Sequence, residues 1–292
     1  MGKRRNALRG VMLKVGFGAL VAAAFLSLIG CKAAAGGGEQ MPAKEDLLKG
    51  ISDEGVAKVG KKRILFGHKS VGYNILNGFE EIRKRDSRFS RINIKEWGRN
   101  REEFREGGIF HVQNGKNGFP KDKCDAFSRL LMEKGVGTQV DIACFKFCYV
   151  DFRTDANVND IFDYYVRTID TVRKEFPELR LIHITVPLTT HTWGVKSYLR
   201  NLIKGDLTNV RRNEFNRMLI KKYKEKDLIF DLAAVESTYP DGRREAFRYK
   251  GESFFALAKQ YTKDGGHLND EGSYYAARKL LLVLLEAELS IQ

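Results

Sequence analysis

The chain has 292 residues, and its four cysteines show no regular spacing, which excludes a disulfide framework. The formal net charge is +14, but five basic and no acidic residues lie within residues 1–30, which leaves +9 for the remainder. The basic clusters of that remainder lie among acidic residues, as on an ordinary solvated surface, so the charge alone does not indicate a nucleic-acid partner.

The first 30 residues have the layout of a secretory signal peptide. Basic residues precede an apolar run over residues 15–29, and Gly30 and Cys31 follow. The run is shorter than the roughly 20 residues that a membrane-spanning helix needs. The segment Leu28-Ile29-Gly30-Cys31 resembles the lipobox of bacterial lipoproteins, in which the cysteine is lipidated and becomes the new N-terminus. An uncleaved anchor is the alternative.

This resemblance implies a lipid anchor at Cys31 and a place in the bacterial cell envelope. Lys32 follows the cysteine, which in such lipoproteins favours sorting to the outer membrane, facing the periplasm or the outside. Export also argues against a nucleic-acid partner. We therefore predict a signal peptide over residues 1–30, a flexible tether over 31–57 and one domain over 58–292.

Short apolar segments alternate with helical patterns along that domain. The clearest helix has its apolar residues at helical spacing between Phe162 and Phe176 and stops at Pro177. Five segments are predicted as strands: 64–66, 92–97, 140–147, 180–186 and 228–231. The alternation predicts a three-layer α/β/α sandwich around a central parallel sheet of about five strands. Ligands of such sheets bind beyond the carboxyl ends of the strands.

An Asp-x-x-His motif precedes the last predicted helix. Asp264 and His267 enclose two glycines, and Asn269 or Asp270 is positioned to cap the helix that follows. A histidine on such a loop can act as a general base if a nucleophile faces it. The alternative is a surface loop with a solvated histidine.

A serine follows the first predicted strand. Ser70 lies at a strand-to-helix turn, which exposes its hydroxyl and places its backbone N–H at a helix N-terminus. Both features favour nucleophilic attack and stabilisation of an oxyanion. Alternatively, Ser70 only caps the helix.

A serine in the first strand-to-helix turn, with Asp-x-x-His before the last helix, resembles the SGNH/GDSL hydrolase superfamily. The resemblance implies a flavodoxin-like fold and a triad of Ser70, His267 and Asp264, with no metal or organic cofactor. One block departs from the family, because Gly67-His68-Lys69-Ser70 stands in place of Gly-Asp-Ser. His68 is then either a substrate contact or second base, or a structural residue beside the sheet.

The family's oxyanion hole uses the N–H of the nucleophile, a glycine after the second strand and an asparagine after the third. Gly98 and Gly115 are candidates for the glycine, and we favour Gly115. Val150 occupies the asparagine position and has no side-chain donor. Either Asn117 supplies the donor, or the oxyanion hole lacks one.

Two further residues are candidate substrate contacts. Asp151 follows a predicted strand, where a turn or capping role is an equal alternative, and His191 lies on a loop at the same end of the sheet. A metal site would have to gather His68, His267, Asp264 and His191, but no ligand-type spacing supports it.

These residues together predict a serine esterase that removes short acyl groups, such as O-acetyl groups on envelope or extracellular polysaccharide. Two alternatives stay open: an acyltransferase that uses the same triad, and a non-catalytic envelope lipoprotein that binds carbohydrate.

Overall fold

The computed structural model describes residues 48, 50–98, 104–191 and 206–289. The predicted signal peptide and Cys31 lie outside these ranges. Within them no helix is long and apolar enough to cross a membrane. The helices are α1 (Asp53–Lys61), α2 (Val71–Arg85), α3 (Pro120–Met132), α4 (Val158–Glu175), α5 (Asp206–Tyr223), α6 (Leu232–Ser237) and α7 (Asp270–Leu289). The strands are β1 (Arg63–His68), β2 (Ile94–Glu96), β3 (Gly108–Gln113), β4 (Ile142–Phe145), β5 (Arg180–Ile184), β6 (Leu228–Phe230), β7 (Ala246–Tyr249) and β8 (Glu252–Phe255).

The central sheet is parallel and has six strands in the order β2-β3-β1-β4-β5-β6, so the predicted fold class is confirmed. The six strands compare with a predicted number of about five, since β3 is not among the predicted segments. Ile109, Phe110 and Val112 supply its apolar residues. These apolar residues form only a short run, which His111 interrupts and the polar segment 114–118 follows, so the sequence pattern does not predict a strand there.

Two hydrophobic layers enclose the sheet, as expected for parallel strands buried on both faces. Ile64 and Phe66 of β1 belong to the layer formed with α1, α2, α6 and α7. Leu65 faces the opposite layer, which contains α3, α4 and α5. The alternation follows from the two-residue period of a strand.

The structure describes residues before position 58, where the domain is predicted to begin. Helix α1 begins at Asp53, and the Ser52 side chain accepts a hydrogen bond from the Gly55 N–H as its cap. Ile51 and Val56 are buried in the same layer as α7. The folded part of the chain therefore includes residues that the sequence pattern assigns to the tether. Helix α1 is not predicted because it has too few apolar residues to give a periodic pattern.

The strand order determines where a ligand can bind. Without the edge strand β2, the order β3-β1-β4-β5-β6 is that of a flavodoxin-like sheet. The chain leaves β1 toward β3 on one side and later continues through β4 on the other. Such a switch point opens a crevice at the carboxyl ends of β1 and β4. Ser70 follows β1 and Tyr149 follows β4, so both lie at this crevice.

Candidate active site

Ser70 occupies the turn between β1 and α2 in a strained backbone conformation. Its φ is 55° and its ψ is −111°, in a region that residues with a Cβ rarely adopt. Holding a non-glycine residue in such a region costs on the order of 1–3 kcal/mol, and this strain is common at functional sites. The Ser70 side chain makes no capping hydrogen bond to α2. The alternative that Ser70 only caps this helix is therefore wrong.

The Asp264–His267 loop folds around its own carboxylate. Asp264 Oδ1 accepts hydrogen bonds from the backbone N–H groups of Gly266 at 2.9 Å and His267 at 2.8 Å. Gly265 has a φ of 86°, which a glycine adopts without strain. Of the two predicted caps of α7, Asn269 and Asp270, it is Asn269 that accepts hydrogen bonds from the Glu271 and Gly272 N–H groups.

The two loops bring Ser70, His267 and Asp264 into one chain of hydrogen bonds. Ser70 Oγ lies 2.6 Å from His267 Nε2, and His267 Nδ1 lies 2.5 Å from Asp264 Oδ2. The hydrogen bonds from the His267 side chain and the loop backbone hold the pKa of Asp264 well below its usual range. The carboxylate therefore stays ionised and favours the tautomer with the proton on Nδ1. That tautomer leaves Nε2 able to accept the Ser70 proton.

The predicted oxyanion residues lie on the loop after β3. Gly115 follows β3, which pairs with β1, whereas Gly98 follows β2 and is separated from β1 by β3. This order favours Gly115, which has a φ of 59°, over Gly98. Asn117 Oδ1 accepts a hydrogen bond from Lys123 Nζ at 3.0 Å, which fixes one end of its amide group.

Asp151 is buried instead of facing a substrate. Its side chain forms a fully buried ion pair with Lys123 at 2.9 Å and accepts from the Gly118 and Cys148 N–H groups. One carboxylate thus ties the loop after β3 to the loop after β4. Of the two predicted roles for Asp151, the structure places it in the structural one.

His68 is fully buried at the end of β1. Its Nε2 lies 3.2 Å from His111 Nδ1, and its ring stacks on Phe66. Burial, reinforced by the Lys146 charge and by His111, lowers the pKa of His68 to about 3. A neutral, packed imidazole fits the structural alternative and not contact with a substrate.

His191 stacks on Phe247 of the β7–β8 hairpin, with ring centroids 4.7 Å apart. The preceding Thr190 donates its N–H to the Gly265 carbonyl, so this segment runs beside the Asp264–His267 loop. Its predicted contact with a substrate stays a prediction. In the described parts of the chain, no group of three or more His, Cys, Asp or Glu side chains could hold a metal ion.

Tyr149 was not singled out from the sequence. Its hydroxyl lies 3.5 Å from His267 Nε2, and its ring meets the His267 ring edge-on, with centroids 5.7 Å apart. The one available signal was its position next to Val150, where the family places a polar side chain. A tyrosine beside an expected asparagine is not distinctive in a single sequence.

Glu236 is a buried carboxyl within reach of the charges of Lys146 and Arg212. Glu236 Oε2 accepts the Leu188 N–H, and Oε1 has no hydrogen-bond partner among the residues described. Burial raises the pKa of Glu236 to about 8, although the Leu188 N–H and the charges of Lys146 and Arg212 act against that rise. The folded protein therefore binds this proton more tightly than the unfolded chain, whose glutamates titrate near pH ~4.3.

Because the pKa is raised on folding, the free energy of unfolding should fall as pH rises from about 4.3 toward 8. Glu236→Gln keeps an acceptor for Leu188 and cannot ionise. Its Tm relative to wild type should rise between pH 5 and pH 8.5 by about 8–16 °C, because a pKa change from ~4.3 to about 8 is worth roughly 4 kcal/mol over this range. Thermal melts of both proteins across this range measure the difference. A constant Tm difference would contradict the raised pKa.

Neither a protein-family model nor a curated protein sequence matches the chain. Several solved structures match it at low sequence identity. A lipase/acylhydrolase from Enterococcus faecalis is 12% identical, with a TM-score of 0.47, and the match covers 77% of this chain and 96% of that one. An acetyl esterase is 11% identical, with a TM-score of 0.47, and the match covers 79% of this chain and 98% of that one. An acetyl xylan esterase is 12% identical, with a TM-score of 0.42, and the match covers 75% of this chain and 97% of that one. These matches are too distant to assign a reaction to this chain.

Proposed function

We propose that this protein is a serine esterase that hydrolyses short acyl esters. The observation that carries the proposal is the hydrogen-bonded series from Ser70 through His267 to Asp264, with distances of 2.6 and 2.5 Å. A serine hydroxyl is a weak nucleophile until a neighbouring base takes its proton. Here the base is within reach of the hydroxyl, and a carboxylate orients the base.

In the proposed reaction, Ser70 Oγ attacks the ester carbonyl carbon while His267 Nε2 accepts the hydroxyl proton. Asp264 holds the imidazole in place and stabilises the imidazolium that forms. The tetrahedral intermediate then collapses, the ester C–O bond breaks, and Nε2 returns the proton to the leaving alcohol. Water hydrolyses the acyl-enzyme in the same manner.

The oxyanion would be held by the backbone N–H groups of Ser70 and Gly115, with Asn117 as the side-chain donor. The turn at Ser70 supports the first donor, because it leads directly into the N-terminus of α2. The position of Gly115 after a strand that neighbours β1 supports the second. For Asn117, the contact with Lys123 supports a fixed amide orientation.

Exposed apolar side chains occur at the same end of the sheet. Tyr73 lies one turn after Ser70, Val150 adjoins Tyr149, and Phe119 follows the loop that Asp151 ties down. Exposed apolar surface of this kind suits the acyl part of an ester. O-acetyl groups on envelope or extracellular polysaccharide are the proposed natural esters, and an anchor through lipidated Cys31 would hold the enzyme near them.

A fluorophosphonate probe tests the proposal, because it reacts covalently with activated serines. The native protein should be labelled, and Ser70→Ala should not. Ser87→Ala is a matched control, since Ser87 begins a short 3₁₀ helix after α2 and is remote from His267. Labelling that persists in a folded Ser70→Ala variant would contradict the proposal, and so would a native protein that stays unlabelled.

A further inference from the structure

The hydroxyl of Tyr149 lies at the point where the proposed reaction moves its proton. His267 Nε2 is 2.6 Å from Ser70 Oγ and 3.5 Å from Tyr149 Oη. Burial, reinforced by the charge of Asp264, raises the pKa of the Tyr149 phenol. The phenol therefore stays protonated at neutral pH and is available as a hydrogen-bond donor.

The surroundings of Tyr149 hold the ring in one orientation. Arg212 Nε donates to the Tyr149 carbonyl at 2.9 Å, and the guanidinium lies over the ring. A Cβ at Gly266 would lie only 2.9 Å from Tyr149 Cζ, so the backbone of the Asp264–His267 loop packs closely against the ring. Two independent contacts thus restrict where the hydroxyl can lie.

The buried ion pair between Lys123 and Asp151 fixes the backbone that carries Tyr149. Asp151 Oδ2 accepts the Cys148 N–H at 2.6 Å, and Tyr149 follows directly in a short 3₁₀ helix. Because the ion pair is fully buried, water does not compete for these hydrogen bonds. A hydroxyl fixed in this manner is a preorganised donor.

We infer that Tyr149 is a catalytic residue that donates a hydrogen bond to the leaving-group oxygen of the ester. In the tetrahedral intermediate, the oxygen that takes the proton must approach His267 Nε2. A donor fixed 3.5 Å from that nitrogen is placed to reach the same oxygen. The proton that moves still comes from Ser70 through Nε2, and Tyr149 keeps its own. The inference rests on the proposed function, since it needs Ser70 as the nucleophile.

This role predicts a dependence on the leaving group. An alkoxide needs stabilisation and a proton as the C–O bond breaks, whereas p-nitrophenolate leaves readily without either. Tyr149→Phe should therefore lower kcat/KM for ethyl acetate by about 10- to 100-fold. For p-nitrophenyl acetate the decrease should be less than about 2-fold. A donor in the oxyanion hole would instead affect both esters alike, because both form the same oxyanion.

The experiment compares kcat/KM, which reports acylation, for acetyl esters of p-nitrophenol, trifluoroethanol and ethanol. Tyr164→Phe is the matched control, because the hydroxyl of Tyr164 on α4 donates to Asp125 of α3 at 2.6 Å, away from Ser70. Loss of this hydroxyl should leave turnover of all three esters unchanged. An equal decrease for all esters, or no decrease, would overturn the inference while Ser70-dependent turnover persists. Loss of the proposed function would instead appear as turnover that survives Ser70→Ala.

If Tyr149→Phe does not fold by circular dichroism, 3-fluorotyrosine at position 149 retains the ring and the hydroxyl. The more acidic phenol donates more strongly, so the ratio of ethyl to p-nitrophenyl turnover should rise. An unchanged ratio would overturn the assignment.

Discussion

Ser70→Ala should lower kcat/KM for a short-chain acetyl ester by about 10⁴- to 10⁶-fold, and His267→Ala should do the same. The hydroxyl and the imidazole act on one proton, which passes between atoms 2.6 Å apart. Removal of either therefore removes the whole step. The double variant should be scarcely slower than either single variant, because the two residues act as one unit.

The wild-type pH profile complements this comparison. The base must be neutral to accept a proton, so kcat/KM should fall under acidic conditions that protonate it. Asp264 stays ionised in weak acid, since the pKa of its carboxyl is lowered. Circular dichroism should show that each variant is folded. Wild-type turnover in a folded Ser70→Ala variant would remove the serine mechanism from consideration.

Asp264→Asn should lower kcat by about 10³- to 10⁴-fold with little change in fold. The two carboxylate oxygens of Asp264 make different hydrogen bonds. Oδ1 accepts from the backbone N–H groups of Gly266 and His267, and Oδ2 faces His267 Nδ1. An asparagine can keep its oxygen on the two backbone groups, which places its NH₂ toward Nδ1. The imidazole then carries its proton on Nε2 and cannot accept the one from Ser70.

The matched variant for this experiment is Asp264→Ala, which loses the hydrogen bonds of both carboxylate oxygens. It should be as inactive as the asparagine variant but also less stable, because two loop N–H groups lose their acceptor. Thermal melts separate the two effects. Full activity in Asp264→Asn would show that the orientation of His267 does not depend on the carboxylate.

The residues around the site differ in how far the sequence predicts their roles. The Asp264–His267 loop was predictable because its glycines, its carboxylate and the Asn269 cap are all within a few residues of one another. Local patterns of this kind specify local structure. The pairing of this loop with Ser70 could be anticipated only through the resemblance to a known family, because 197 residues separate Ser70 from His267.

Asp151 and Tyr149 illustrate what the sequence does not contain. Asp151 reads as a turn residue or a substrate contact, and only the fold shows that Lys123, on α3, comes to it as a buried partner. The orientation of Tyr149 depends on Arg212 of α5 and on Gly266, both far away in the chain. Such contacts arise from packing between elements, which periodicity along one element cannot report.

The positive φ of Ser70 bears on any attempt to make this protein more heat-resistant. A library screened for melting temperature alone would favour glycine at position 70, because glycine adopts this conformation without strain. The selected protein would have a higher melting temperature but would lack the proposed nucleophile. Stabilising substitutions should therefore be sought elsewhere in the domain, and position 70 should be held fixed in any screen that does not also measure turnover.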